Sequence, residues 1–312
     1  MARLNLADFV FTPKSDIATA SYLHLETSAV ASTLGGDDVI SATVIDESDG
    51  SLYQAIANSG IIDLGKGDDS ISASMTRIDT VANTVALLNN ATGTIHGGDG
   101  NDTISGQASG ILGCKGLVNL GLIDAGSGRD VISGSATGTS EYAWGLANGG
   151  TIMGGDGADV ITGSSNTGTG IYNEGLIDAG RGNDEITGGS DSVSAITNGG
   201  TILMGAGNDI IDASRGGFYN YGTVNFGKGN DILKGFNIGN SGIYDGGAGI
   251  DRILLGDGIY LIEATTGVVS AAGTSFNLYC TGFERIGGLS GGLFAFATGT
   301  LTVTAGIATF AA

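Results

Sequence analysis

Nine aspartates recur along this 312-residue chain in one local setting: Asp38, Asp69, Asp102, Asp130, Asp159, Asp184, Asp209, Asp231 and Asp251. Clear copies read GGDGNDTIS (Gly97–Ser105), GGDGADVIT (Gly154–Thr162) and AGRGNDEIT (Ala179–Thr187); the copy around Gly35-Gly36-Asp37-Asp38 is degraded. Closely spaced glycines permit positive φ and a tight bend that can turn backbone carbonyls inward. The Asp adds a carboxylate at a fixed place in each bend. Hard oxygen donors at this density suit Ca2+, which takes roughly six to eight oxygens in flexible geometry. The expected ligand positions are Asp69, Gly97, Asp99, Asp102, Asp130, Gly154, Asp156, Asp159, Asp184, Asp209, Asp231 and Asp251. Nine stacked turns leave at most eight gaps, and eight ions of charge +2 would bring +16 against the formal −20. Without metal, carboxylates about 5 Å apart repel one another. The competing reading is a plain turn closed by Asx hydrogen bonds. One copy would favour that reading; nine in register favour the metal. Asp63, Asp124, Asp178 and Asp245 precede some turns, but His96, Met153, Leu203 and Asn225 replace them in others, which marks a solvated face.

Elements must hold these turns in line. The shared Asp is spaced by 31, 33, 28, 29, 25, 25, 22 and 20 residues, so the period shrinks along the chain. Eleven residues before it lies an Asn: Asn58, Asn119, Asn148, Asn173, Asn198, Asn220 and Asn240. The copy before Asp102 slips, with Ala91 at that place and Asn90 beside it. The block Asn-x-Gly-x-(Ile/Val)-x-x-Gly-x-Gly-x-Asp-x-(Ile/Leu) keeps its length, and all variation falls between that last aliphatic residue and the next Asn. Short aliphatic runs bounded by Gly read as strands. A repeat this short buries its apolar residues only by stacking. The expectation is all-β: a right-handed parallel β-solenoid, tapered from residue 60 towards residue 250, with one calcium-binding turn per coil. Residues 1–32 would form an N-terminal cap, 33–256 the repeats and 257–312 a C-terminal cap. Stacked Asn side chains would form an amide ladder.

The turns resemble the RTX (repeats-in-toxin) calcium-binding family, G-G-x-G-x-D-x-U-x with U aliphatic, over residues 33–256. Gly282-Phe283-Glu284-Arg285-Ile286-Gly287-Gly288 resembles the cap that often follows the last turn in that family. The resemblance implies a β-roll-like fold, calcium between turns, and type I secretion read from the C-terminus. No charged side chain follows Arg285, which is compatible with such an export signal. Family arrays usually carry two nonapeptides per short coil; here there is one per long coil, so calcium would line a single edge. The implied mechanism is a chain that stays loose in a calcium-poor cytosol and folds outside, where calcium binds the folded form alone.

Composition narrows the function further. With 12 Lys and Arg against 32 acids, nucleic-acid binding is excluded. No run of about twenty apolar residues exists to span a membrane. The first residues, MARLNLADFVFTPK, carry no secretory signal peptide. Two cysteines 166 residues apart read as buried free thiols. No catalytic constellation surrounds His24 or His96. Trp144, with Tyr142, lies in the variable segment and reads as an edge-packing aromatic rather than a sugar platform. Tyr172, Tyr219, Tyr221 and Phe218 read as wall residues. The expected function is a secreted, non-enzymatic structural protein of the cell surface or extracellular matrix that folds on calcium and self-assembles as a homo-oligomer or polymer. Alternatives are an adhesin for surface polysaccharide or a polysaccharide-modifying enzyme. An ice-binding Thr ladder is absent from the turn, where Lys66, Asp99, Ser127, Asp156, Arg181, Ala206, Lys228 and Ala248 follow one another.

Overall fold

Short aliphatic strands separated by glycine corners stack here into three columns of parallel strands. The computed structural model describes residues 3–26, 28–46, 53–77, 84–235, 241–274 and 277–312. The first column runs from Arg3–Asn5 to Phe218–Asn220 and holds nine strands. The second runs from Val30–Ser32 to Asn277–Thr281, and the third from Ile17–Ala20 to Arg285–Gly288. Asn corners lead from the first column to the second, and the Asp turns lead from the second to the third. Register is kept from coil to coil: Ile95 lies between Ile62 and Ile123, and Ile104 between Ile71 and Ile132. The inward Ile62, Ile95, Ile123, Ile152, Ile177 and Ile202 are at most 1% exposed. Each is covered by its equivalents above and below, which no single coil could do. The expected parallel β-solenoid is the fold observed.

The first column lies where the sequence varies in length, outside the constant block that carries the Asn and the Asp. Its inward row is Ile56, Leu87, Leu117, Leu146, Ile171, Ile196 and Phe218, in register and buried. Each stands two residues before an Asn, and that offset was the available signal. Tyr172 and Tyr219 are the outward wall residues of this column, whereas Tyr221 is exposed in the corner beyond it.

The Asn ladder forms. Asn58 Nδ2 donates to Asn89 Oδ1 at 2.8 Å, and the chain of bonds continues through Asn119, Asn148, Asn173, Asn198 and Asn220. The slipped copy uses Asn89, not Asn90 or Ala91, because the corner before Gly93 holds two extra residues. Asn220 ends the described ladder on the Ile243 carbonyl at 3.1 Å; Asn240 lies outside the described residues.

The taper resides mainly in the third column. Its strands shorten from eight residues at Ser70–Arg77 to six at Val160–Ser165 and four at Arg252–Leu255. Among the described residues the first column has no strand beyond Asn220. Aromatics fill the core there: Phe218 meets Tyr244 edge-on at 5.3 Å, and Phe226 meets Phe283 at 5.8 Å.

The two ends differ. At the narrow end, Val268–Ala271 runs antiparallel on Asn277–Thr281, and Gly291–Ala295 on Arg285–Gly288. Gly299–Thr304 and Ile307–Ala311 complete this antiparallel cover. At the wide end, Leu6 and Phe11 plug the core, while Arg3–Asn5 and Ile17–Ala20 are each paired on one side. No helix among the described residues is long and apolar enough to cross a membrane.

Candidate metal centre

Each Asp turn reverses the chain between two left-handed glycines. Gly98 has φ 108° and Gly100 φ 141°; a Cβ on Gly100 would lie 1.8 Å from the Gly67 carbonyl oxygen of the adjacent coil. Successive turns are therefore in backbone contact, and only glycine allows it. The first copy obeys the same geometry at the same offsets, with a left-handed leucine in place of the first glycine. Leu34, at φ 72°, stacks on Gly65, and Gly36 stacks on Gly67.

The residue between the two glycines sits on the outer rim. Asp99 and Asp156 have side chains 62% and 66% exposed, paired with Lys66 at 3.0 Å and Arg181 at 3.5 Å. These two expected ligands stand apart from the other carboxylates, because the reversal at the glycines turns their position to solvent. The residue before the shared Asp is also outward. Asn101 Oδ1 accepts the Arg129 N–H, and Asn208 Oδ1 the Asn230 N–H, each at 2.8 Å.

The shared Asp alone turns inward. Asp69 N–H donates to Asp102 Oδ1 at 2.8 Å, Asp102 to Asp130 at 2.7 Å and Asp130 to Asp159 at 2.8 Å. The same bond joins Asp159, Asp184, Asp209, Asp231 and Asp251 in turn. The column is also continued at each end, by a backbone N–H at one, where the Asp16 carboxylate itself accepts from Thr12, and by a carboxylate at the other. Asp16 N–H donates to Asp38 Oδ1 at 2.7 Å, and Asp251 N–H to Glu284 Oε2 at 2.8 Å. Neither Asp16 nor Glu284 follows a G-x-G-x pattern, so the motif did not reveal them. The weaker signal was an acid two residues before an inward apolar position, Ala18 or Ile286.

One oxygen of each inward Asp is thus satisfied; the other is not. The Oδ2 atoms of all nine, from Asp38 to Asp251, are buried without a hydrogen-bond partner. Burial pushes Asp69, Asp130, Asp184 and Asp209 up to about 7, and Asp102 and Asp231 to about 6, from an ordinary 3.8. The N–H that each accepts works against the shift. Neighbouring carboxylates add to it, as Asp102 and Asp38 do at Asp69. Burial raises Asp159 and Asp251 as well. Ion pairs of the described residues fall on other acids, such as Arg215–Asp191 and Lys234–Asp212.

This donor set fits a hard divalent cation. Nine desolvated carboxylate oxygens lack a proton donor and a basic partner. The turn carbonyls of Asp99, Ser127, Asp156 and Arg181 each accept one N–H from an adjacent coil, which leaves a second lone pair on each. Gly97 and Gly154 leave bare wall beside the carboxylate: a Cβ there would lie 2.6 Å from Asp102 Oδ2 and 2.8 Å from Asp159 Oδ2. Leu64, Ala125, Ala179, Met204 and Phe226 fill the same position as core residues. Among the described residues no group of three or more His, Cys, Asp or Glu is placed to hold a metal ion by itself, so a cation would need backbone carbonyls as well. A cation here would be shared between coils.

Other chemistry-bearing residues fall elsewhere. His96 lies 3.7 Å from Asp124 on a half-exposed strand face, and His24 stacks on Tyr22. Cys114 and Cys280 are buried free thiols, and burial pushes Cys280 up to about 12. A shallow groove of about 330 Å³ lies beside Trp144 and Tyr172. Trp144 is covered on one face by Tyr172, with ring centroids 4.5 Å apart, and Lys115 Nζ sits over the Trp144 ring at 4.7 Å. Its ring is already occupied by protein, in keeping with an edge-packing role.

No protein-family model matches this sequence, and no curated protein matches it. Among solved structures it is similar to a hyperactive, Ca2+-dependent, β-helical antifreeze protein from an Antarctic bacterium. The two share 20% identity over 80% of this chain and 69% of that one, with a TM-score of 0.45.

Proposed function

We propose that this chain is a secreted calcium-binding structural protein of the cell surface or extracellular matrix, which folds and assembles when it meets calcium. The observation that carries this reading is the column of nine buried, unpartnered Asp oxygens. Asp69, Asp102, Asp130, Asp159, Asp184, Asp209, Asp231 and Asp251 would hold the ions together with turn carbonyls. Bound calcium supplies the positive charge that the column lacks. The same residues explain a requirement for metal, since burying carboxylates without a counter-charge opposes folding. Type I export in the RTX manner belongs to this reading: the charge column keeps the chain open where calcium is scarce. The chain then acts as a scaffold rather than a catalyst.

Circular dichroism and light scattering of the purified chain, with calcium and then with chelator, test it. Strand signal should appear with calcium and fade on chelation, and particle mass should grow with calcium if the chain assembles. A strand signal indifferent to chelator removes the calcium reading. Cleavage of uronate polymers by the protein would replace the scaffold with an enzyme.

A further inference from the structure

The carboxylate column crosses the boundary between the repeats and the C-terminal cover. Asp251 belongs to the last glycine turn. Its N–H donates to Glu284 Oε2 at 2.8 Å, the distance found between Asp231 and Asp251 within the repeats. The pairing of Arg252 with Arg285 sets Glu284 directly opposite Asp251. The corner Thr281-Gly282-Phe283-Glu284 has no room for a full turn, being three residues shorter than the run from Asp245 to Asp251. A Glu there has one more methylene than Asp with which to reach back to the column. The corner is tightly seated: a Cβ on Gly282 would lie 2.7 Å from Gly247 N and 3.0 Å from Asp245 Oδ1. Asp251 is fully buried, and its Oδ2 has no partner. A desolvated oxygen therefore stands at the junction, on the residue whose N–H the exposed Glu284 carboxylate accepts.

We propose that Glu284 is a calcium ligand, so that the last ion is shared between Asp251 and Glu284 and fastens the C-terminal cover to the solenoid. This rests on the calcium reading above and extends it to a residue outside the repeat motif. The cover would then be tied down by metal as well as by strand pairing, and its docking would depend on calcium.

The test uses the full chain and calcium alone. Equilibrium dialysis counts the ions bound to the wild type and to Glu284→Gln, which keeps an oxygen for the Asp251 N–H but loses the charge. The variant should bind one ion fewer. Its residues 257–312 should need at least tenfold more calcium to reach half-maximal protection from hydrogen exchange, with the remaining coils unchanged. Equal ion counts and equal protection of that segment would overturn the inference while leaving the calcium scaffold intact. A wild type that binds no calcium would overturn both. A second measurement needs no variant: in the wild type, exchange over residues 277–288 should slow on adding calcium. Slowing confined to the earlier coils also defeats the proposal.

Discussion

Single residues pose the sharpest energetic problem, because nine carboxylates among the described residues are buried with one oxygen each unpaired. An uncompensated buried charge costs about 3–5 kcal/mol, and a domain has only about 5–15 kcal/mol in all. The column must therefore take up either protons or cations. Burial holds Asp69, Asp102, Asp130, Asp184, Asp209 and Asp231 up at about 6 to 7 in the folded chain, from an ordinary 3.8. Between those values the folded chain binds more protons than the unfolded one. The column's contribution is thus fully present below about pH 4 and is lost as pH rises through about 6–7. In chelator, the melting midpoint should fall between about pH 5 and pH 8, and calcium should remove that fall. Calorimetry at both pH values decides it; a midpoint that rises with pH in chelator contradicts the account. Asp130→Asn keeps the acceptor for the Asp102 N–H and discards one charge. It should raise the metal-free midpoint by about 2–4 °C for each kcal/mol relieved. It should also shrink the gain on adding calcium.

Turns and ladders are the elements that position those residues. Gly182 has φ 130°, and a Cβ there would lie 1.3 Å from the Gly157 carbonyl oxygen. Gly182→Ala should cost more than about 3 kcal/mol, since it adds a clash to a strained φ. Gly273 has φ 78° with nothing within 4 Å of its Cβ position. Gly273→Ala should cost only about 1–2 kcal/mol. Urea unfolding of both variants in calcium separates steric stacking from simple backbone preference. The Asn ladder is a second tie between coils. Asn148→Ala removes bonds to Asn119, Asn173 and the Leu176 carbonyl, and should cost about 1–3 kcal/mol for each buried group left unpaired. The second and third columns were legible because Ile recurs at fixed offsets from the Asp. The first column was not, because its distance to the preceding Asp changes along the chain; only its offset from the next Asn is constant.

Considered whole, the molecule is a tapered rod with unlike ends. Antiparallel strands cover the narrow end, whereas at the wide end Arg3–Asn5 and Ile17–Ala20 each keep one edge without a strand partner among the described residues. Unpaired edges template further pairing. Deleting residues 291–312 should uncover Arg285–Gly288 and raise the mass seen by light scattering in calcium. An unchanged mass would mean that this cover does not guard an edge. The shrinking coil length predicted the taper, but not its construction. Third-column strands shorten first, and beyond Asn220 the described coils run on two columns, with Phe218, Phe226 and Tyr244 filling the core.

The sequence alone determined the repeating unit, the parallel stack, the inward Ile rows, the Asn ladder and the nine recurring aspartates. These are local and periodic, so each copy reports on the others, and register follows once one pair of coils is aligned. Tertiary structure decided what a single copy cannot report. It turned Asp99 and Asp156 outward, because side-chain direction in a turn depends on the φ of its flanking glycines. It set Asn89 in the ladder, because a two-residue corner insertion is read only against the coil beneath. It also brought Asp16 and Glu284 onto the ends of the column: they share no motif with the repeats and meet them only through strand pairing across the coil boundary.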